Sequence, residues 1–150
     1  MRVVLQIVTE ASVELEGKII SSIGKGYCLL VGFAEGDDDL VAEKMAEKIA
    51  KLRIFPDENG KTNLSLSAVN GEILSVSQFT LNASAKEGNR PSFTYCMNQV
   101  EASRLYEVFL KKMRTLIPSV QSNVFHTDCK IHLVNDGPFT LILDSKELFK

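Results

Sequence analysis

The segment SQFTL, Ser77 to Leu81, sets a serine, a glutamine and a threonine around a phenylalanine at the end of an otherwise apolar run. Two readings fit those residue types. In one, they are a strand end whose side chains cap neighbouring backbone groups. In the other, the backbone of the same segment offers N–H donors to a developing oxyanion, with Gln78 and Thr80 orienting a substrate. Ser77, Gln78, Phe79 and Thr80 are then the catalytic candidates, with Thr80 no nucleophile, because a threonine hydroxyl is weak without a base beside it and the segment supplies none.

Two further stretches carry polar groups worth weighing. KEGNRPSF, Lys86 to Phe93, is made a loop by its glycine and proline, and it sets Lys86 and Arg90 where a phosphate can be met. Exposed basic residues on loops are also common with no ligand at all. NDGPFT, Asn135 to Thr140, lies between two runs of β-branched and apolar residues. Asn, Asp and Gly alone suffice for a hairpin turn. The proline that follows removes a donor at the start of a strand, which the turn does not demand. Because prolyl bonds are cis in only about 5–6% of cases in folded proteins, the pattern alone favours a trans bond here. If the bond is cis, the carbonyls of Gly137 and Pro138 are held rigidly on a protruding tip, where they can read a stereocentre, bonding an amine in one configuration and obstructing the substituent in the other.

Other chemistry is missing. There is no H-E-x-x-H, G-x-S-x-G, phosphate-loop or dinucleotide pattern, and the GKG of Gly24 to Gly26 reads as a turn. His126 and His132 have no evident cysteine or serine partner and read as surface or strand histidines. Cys28, Cys96 and Cys129 are scattered free thiols, with Cys28 in the core. The sequons at Asn63 and Asn82 carry no weight in a chain expected to remain inside the cell.

The elements that must position these residues follow from periodicity. RVVLQIV, GKIISSI and GYCLLVGF are strands punctuated by glycine. Val41, Met45, Ile49 and Leu52 recur at helical spacing with Glu and Lys on the other face. PDENGKTN is a loop, and GEILSVSQFTL a strand. A second helix runs from about Gln99 to Ile117, with Asn98 and Glu101 spaced as a capping pair and Pro118 as its stop. VQSNVF, CKIHLV and FTLILDS are the last strands, the final two joined through NDGP. The expected order βββ-α-β-α-βββ implies an α+β fold, a mixed or antiparallel sheet with two amphipathic helices packed on one face.

Composition bounds the rest. With 150 residues, 45% of them hydrophobic, the chain is expected to form one domain, residues 1–150, without disulfides or metal. A formal charge of −2 and no basic run argue against a broad nucleic-acid surface, and no DNA partner is expected. Contact with an RNA end or a small anion remains open. No signal peptide or membrane span is expected, and the protein reads as cytoplasmic.

Taken together, RVVLQ, GKGYCLLVGF, KLRIFPDENGKTNLS, EILSVSQFTL, KEGNRPSF and VNDGPFTLILDS resemble, in order and separation, the D-aminoacyl-tRNA deacylases. The resemblance runs through almost the whole chain. It implies a small homodimer with a barrel-like sheet, in which a cis Gly137–Pro138 tip reaches into the partner's active site as a chiral filter with Asn135, Phe139 and Thr140 around it. It implies hydrolysis of the ester between a D-amino acid and the terminal ribose of tRNA, with no cofactor. The N–H groups around Phe79 and Thr80 are then the oxyanion contact, and in the family the neighbouring ribose hydroxyl is proposed to assist the attack. Lys86, Arg90, Pro91, Ser92, Phe125 and Cys129 are candidates for holding the aminoacylated 3′ end.

Two positions depart from the family's pattern. Ile7 stands where most members have an arginine bracing the tip, and FHTDC, Phe125 to Cys129, replaces a segment usually carrying glycine and alanine after the phenylalanine and ending in methionine. A related animal branch lacking that arginine holds the tip differently and removes L-alanine from mischarged tRNA, although its first motif begins with proline, not serine. The alternatives are such a deacylase of relaxed chirality, a catalytically silent RNA-end binding module, and a plain structural dimer, which the polar residues Ser77 and Gln78 fit poorly.

Overall fold

Alternation of apolar and polar side chains from Arg2 onward produces a long strand, β1 (Arg2–Leu15), with Val3, Leu5 and Val13 fully buried. Glu16 and Gly17 then take left-handed dihedrals, φ 51° and 78°, as a tight hairpin requires. The chain returns as β2 (Lys18–Ile23) and β3 (Gly26–Gly32). Every residue of β3 except Leu30 is buried, which accounts for the near-continuous apolar run GYCLLVG. The computed structural model describes residues 1–150.

Helix α1 (Asp39–Lys51) is started by Asp38, whose carboxylate accepts the Val41 N–H at 2.9 Å. A hairpin of β4 (Arg53–Pro56) and β5 (Thr62–Ser65) leads through a short 3-10 turn to β6 (Glu72–Ser77). Helix α2 (Gln99–Leu116) is capped by Asn98, which accepts the Glu101 N–H at 3.0 Å. The Glu101 carboxylate does not complete the expected reciprocal pair and turns instead to Arg104. The chain ends through β7 (Val120–Ser122), β8 (Lys130–Asp144) and a single helical turn, α3 (Ser145–Leu148).

The sheet is mixed. β1 pairs antiparallel with β2, β3 and β8, while β3–β6 and β6–β7 are parallel. It curls until β2 meets β7: Ser21 Oγ donates to the Ser122 carbonyl at 2.8 Å and the Ser22 N–H to Gln121 Oε1 at 2.9 Å. The result is a nearly closed barrel with Val8, Val13, Cys28, Leu74 and Val76 inside it. α1 and α2 lie together over the other face, where Met45, Ile49, Leu105, Phe109 and Met113 are fully buried with Leu5, Leu29 and Ile73 of the sheet. The expected α+β architecture is present.

Several element expectations need correction. The strand through SQFTL stops at Ser77, and Phe79–Asn82 forms a 3-10 turn. The ladder ends because the Gln78 N–H makes its last bond, to the Val31 carbonyl at 2.7 Å, beyond which Phe79 has no strand to pair with. PDENGKTN is a loop only at its centre, since its flanks pair as β4 and β5. VQSNVF is strand only over Val120–Ser122.

The largest correction concerns NDGP. It is not a hairpin turn, because β8 keeps the same direction along β1 on both sides of it. Asn135 pairs with Val8 and Thr140 with Gln6, so Asp136 to Phe139 bulge out of one continuous strand. The Gly137–Pro138 bond is cis, against what the pattern alone favours and as the resemblance implies. Gly137 sits at φ 135°, a conformation in which a side chain would be strained.

Candidate active site

Where the parallel strands β3 and β6 end side by side, the chain leaves a cleft of about 740 Å³. Its floor is Val31, Gly32, Val76 and Ser77, and its walls come from Phe79, Phe93, the start of α2 and the segment Asn123–Ile131. Clefts outside the carboxyl ends of parallel strands are common ligand sites, because the chains diverge there and leave backbone groups unpaired. Gly32 is required at this floor. A Cβ on it would lie 2.6 Å from the Gln78 carbonyl oxygen.

The SQFT segment is fixed from several sides. The Ser77 N–H donates to Asn123 Oδ1 at 3.1 Å, and Asn123 Nδ2 donates to Ser77 Oγ at 3.2 Å. Arg2 donates to the Leu81 carbonyl at 2.8 Å while also paired with Asp144. The Cys96 thiol donates to the Phe79 carbonyl at 3.3 Å. Gln78 Nε2 donates to Thr80 Oγ1 at 2.5 Å. Among the chain's hydrogen bonds, none takes the N–H of Phe79 or of Thr80 as donor. Two adjacent free N–H groups on a braced turn form an anion-binding arrangement.

The sequence candidates divide clearly. Ser77, Gln78, Phe79, Phe125 and Cys129 line the cleft, whereas Thr80 does not and reaches it only through its bond to Gln78. Lys86, Arg90, Pro91 and Ser92 are exposed and do not line it, although the loop they occupy returns through the Ser84–Ser92 bridge to deliver Phe93 against Phe79, ring centroids 5.5 Å apart. Asn135, Gly137, Pro138, Phe139 and Thr140 gather at the β8 tip, none of them in the cleft of their own chain. There Asn135 Oδ1 accepts the Phe139 N–H at 2.8 Å, and Asn135 Nδ2 donates to Thr140 Oγ1 at 3.0 Å. Ile7 is buried, 6% exposed, in the core under the helices.

Sequence reasoning missed Gly32, Asn123, Cys96 and His126 as cleft residues. Only Gly32 left a signal, as the glycine closing an apolar strand. His126 is exposed on the cleft wall in a left-handed conformation, φ 57°. Burial raises the Cys96 thiol above its ordinary value and pushes Cys28 up to about 11, so both stay protonated at neutral pH. The cleft therefore offers donors and a shaped wall, and the Cys96 thiol on it stays protonated.

The chain and its fold belong to a known family. Residues 4–144 match the family described as D-Tyr-tRNA(Tyr) deacylase, and the chain is a member of it. Its relatives include proteins named D-aminoacyl-tRNA deacylase from Lactobacillus acidophilus, 55% identical over 96% of this chain and 99% of the relative, and from Thermomicrobium roseum, 51% identical over 99% and 96%. Among solved structures, one titled c-Myc DNA Unwinding Element Binding Protein superposes with a TM-score of 0.91 at 39% identity, covering 96% of this chain and 98% of that one. A second, titled as a probable eukaryotic D-amino acid tRNA deacylase, has a TM-score of 0.83 at 17% identity, covering 95% and 97%, and shows the shared fold.

Proposed function

We propose that this chain hydrolyses the ester between a D-amino acid and the terminal ribose of tRNA, releasing the free amino acid and intact tRNA. The observation that carries the reading is the pair of unpartnered N–H groups at Phe79, on the cleft wall, and at the adjoining Thr80, in a chain of the deacylase family. An aminoacyl ester is already activated, so its hydrolysis needs positioning and a home for the oxyanion more than a strong nucleophile. Water, assisted by the neighbouring ribose hydroxyl, attacks the carbonyl carbon, and the oxygen charge that develops meets the two N–H groups. Gln78, held by Thr80, orients the ester. Removing one such donor typically costs about 10²–10³ in rate.

The chiral filter is supplied by a second copy. The tip is not in its own cleft, β8 pairs only with β1, and Leu133, Val134 and Ile142 along β8 are exposed with Ile19 and Ile20 of β2 nearby in the sheet. An apolar strand with a free edge is covered by pairing with another chain. In the dimer, the carbonyls of Gly137 and Pro138 bond the D-amine and block an L side chain. The terminal adenosine is held by the cleft walls at Phe125 and Cys129, with Lys86 and Arg90 meeting phosphates from the loop. The enzyme works in the cytoplasm, where tRNA is charged.

The buried Ile7 favours a second reading, because it leaves the tip tied by Asn135 and by Gln6 on Thr140, without a cationic brace. On that reading the filter is relaxed and L-alanyl-tRNA is also cleaved. Single-turnover hydrolysis of D-tyrosyl-, L-tyrosyl- and L-alanyl-tRNA side by side separates the two. Loss of the D-ester alone supports the strict filter, loss of the L-esters the relaxed one, and no hydrolysis of any refutes both. Mixing subunits tests the partner's role. Gln78→Ala and Gly137→Ala are each expected to be inactive, yet their heterodimer contains one site with an intact Gln78 and an intact tip. Recovery of activity on mixing is expected, and none after verified subunit exchange would mean that the tip does not act in trans.

A further inference from the structure

We propose that Asn123 is a positioning residue for the reaction, clamping Ser77 so that the following N–H groups face the substrate; this rests on the reading of Ser77 to Thr80 as the catalytic segment. Asn123 is 7% exposed, one of the few buried polar residues in the chain. Its amide grips Ser77 at two atoms, Oδ1 taking the backbone N–H at 3.1 Å and Nδ2 reaching Oγ at 3.2 Å. The orientation of the amide is fixed by this pairing, since a backbone N–H cannot accept from an NH2 group. Behind it, the Tyr106 hydroxyl stands 3.3 Å from Asn123 Oδ1 and 3.0 Å from Ser75 Oγ, sharing its proton between them. The Asn123 N–H completes the bracket by donating to the Ser75 carbonyl at 3.2 Å.

The arrangement has the form of a support for a site. Tyr106 is buried, with its phenol pushed well above its ordinary pKa by burial, so it stays neutral and keeps its proton for the clamp. It comes from α2, Ser75 and Ser77 from β6, and Asn123 from just beyond β7, so three elements converge on the residue that precedes Gln78. Ser77 needs such a partner because β7 ends at Ser122 and the ladder gives its N–H no strand acceptor. Without Asn123 that N–H is left unpaired at the cleft floor, and the segment is free to rotate toward water. A shift on the order of 1 Å at a reacting group costs on the order of 10²-fold in rate.

The test compares kcat and KM on D-tyrosyl-tRNA for Asn123→Ala, Asn123→Asp, Tyr106→Phe and Gln78→Ala, with circular dichroism confirming the fold of each. Asn123→Ala is expected to lower kcat by roughly 10- to 100-fold with KM within about twofold, because the donors move while the binding walls stay. Asn123→Asp should recover most of the rate, since a carboxylate accepts from the Ser77 N–H, the Ser77 hydroxyl and Tyr106 together. Tyr106→Phe should lower kcat several-fold, and it carries the test alone if Asn123→Ala does not fold. Unchanged kcat in folded Asn123→Ala, or in Tyr106→Phe where Asn123→Ala does not fold, overturns the proposal. So does an Asn123→Asp protein as slow as Asn123→Ala. If Gln78→Ala also keeps full activity, the catalytic segment itself is misassigned; if Gln78→Ala is inactive and the clamp variants are not, only the clamp is wrong.

Discussion

Replacing Gly32 by alanine tests whether the turn that follows β6 must sit where the sheet places it. The φ of Gly32 lies outside the left-handed region, so alanine is not strained there by backbone conformation, and the effect comes from one contact. The new Cβ would lie 2.6 Å from the Gln78 carbonyl oxygen, 3.0 Å from Asn82 Nδ2 and 3.1 Å from Leu81 Cβ. Ordinary contact begins at 3.4 Å, so the Gln78 carbonyl must withdraw by about 0.8 Å. It cannot do so without disturbing the Gln78 N–H, which bonds the Val31 carbonyl at 2.7 Å, and with it the neighbouring Phe79 N–H. Overpacking of this kind costs about 1–3 kcal/mol, or roughly 2–12 °C in Tm at about 2–4 °C per kcal/mol for a chain of this size. The larger loss is expected in rate, on the order of 10²-fold in single-turnover hydrolysis of D-tyrosyl-tRNA. Gly24→Ala, whose Cβ would rest 3.6 Å from Glu72 Oε2, is the control and should change neither quantity appreciably. A Gly32→Ala protein with kcat within about twofold of the parent would refute the claim that the turn's placement controls the chemistry.

Other perturbations bear on the tip and on acid stability. Asn135→Ala removes the acceptor for the Phe139 N–H and the donor to Thr140, and it is expected to narrow the preference for D- over L-tyrosyl-tRNA by about tenfold or more, since each lost bond is worth about 1 kcal/mol or somewhat more; parallel hydrolysis of the two esters measures it. Desolvation alone would raise the Asp144 carboxyl, but the Lys146 N–H and the Arg2 guanidinium outweigh it and hold it below its usual range. Its stabilisation is therefore complete above the unfolded carboxylate pKa of about 4 and lost as pH falls through the lower folded value. Arg2→Met should flatten that acid limb, seen as a smaller drop in urea midpoint between about pH 6 and pH 3 than in the parent protein.

How far the sequence carried these conclusions differs from element to element. Both helices were legible because Met45, Ile49, Leu105, Phe109 and Met113 repeat at the helical period and all prove fully buried. The first three strands were legible through their glycine punctuation. β4 and β5 were not, since four-residue strands flanking a polar loop carry too little alternation to register. The NDGP segment misled because a bulge and a hairpin use the same residues, and only the register against β1 distinguishes them. In the site, Ser77 to Thr80 announced itself by placing polar side chains at the end of an apolar run. Asn123 and Cys96 left no such mark, because each acts through a contact with a residue tens of positions or more than a dozen positions away. Lys86 and Arg90 stood out by charge, and charge alone did not bring them into the cleft.

The two ends of β3 limit how this sequence can drift. At Gly26 a Cβ would fall 1.8 Å from the Glu72 carbonyl oxygen, and at Gly32 it would fall 2.6 Å from that of Gln78, so both ends of the strand press against the two ends of β6. Between them, Tyr27 to Val31 pair in parallel with Ile73 to Ser77, and one apolar side chain can replace another there at modest cost. The interior of the strand is free to vary through many neutral steps, while its terminal positions leave little room for any side chain. A lineage can thus repack the barrel around this strand over time while the floor of the cleft stays in place.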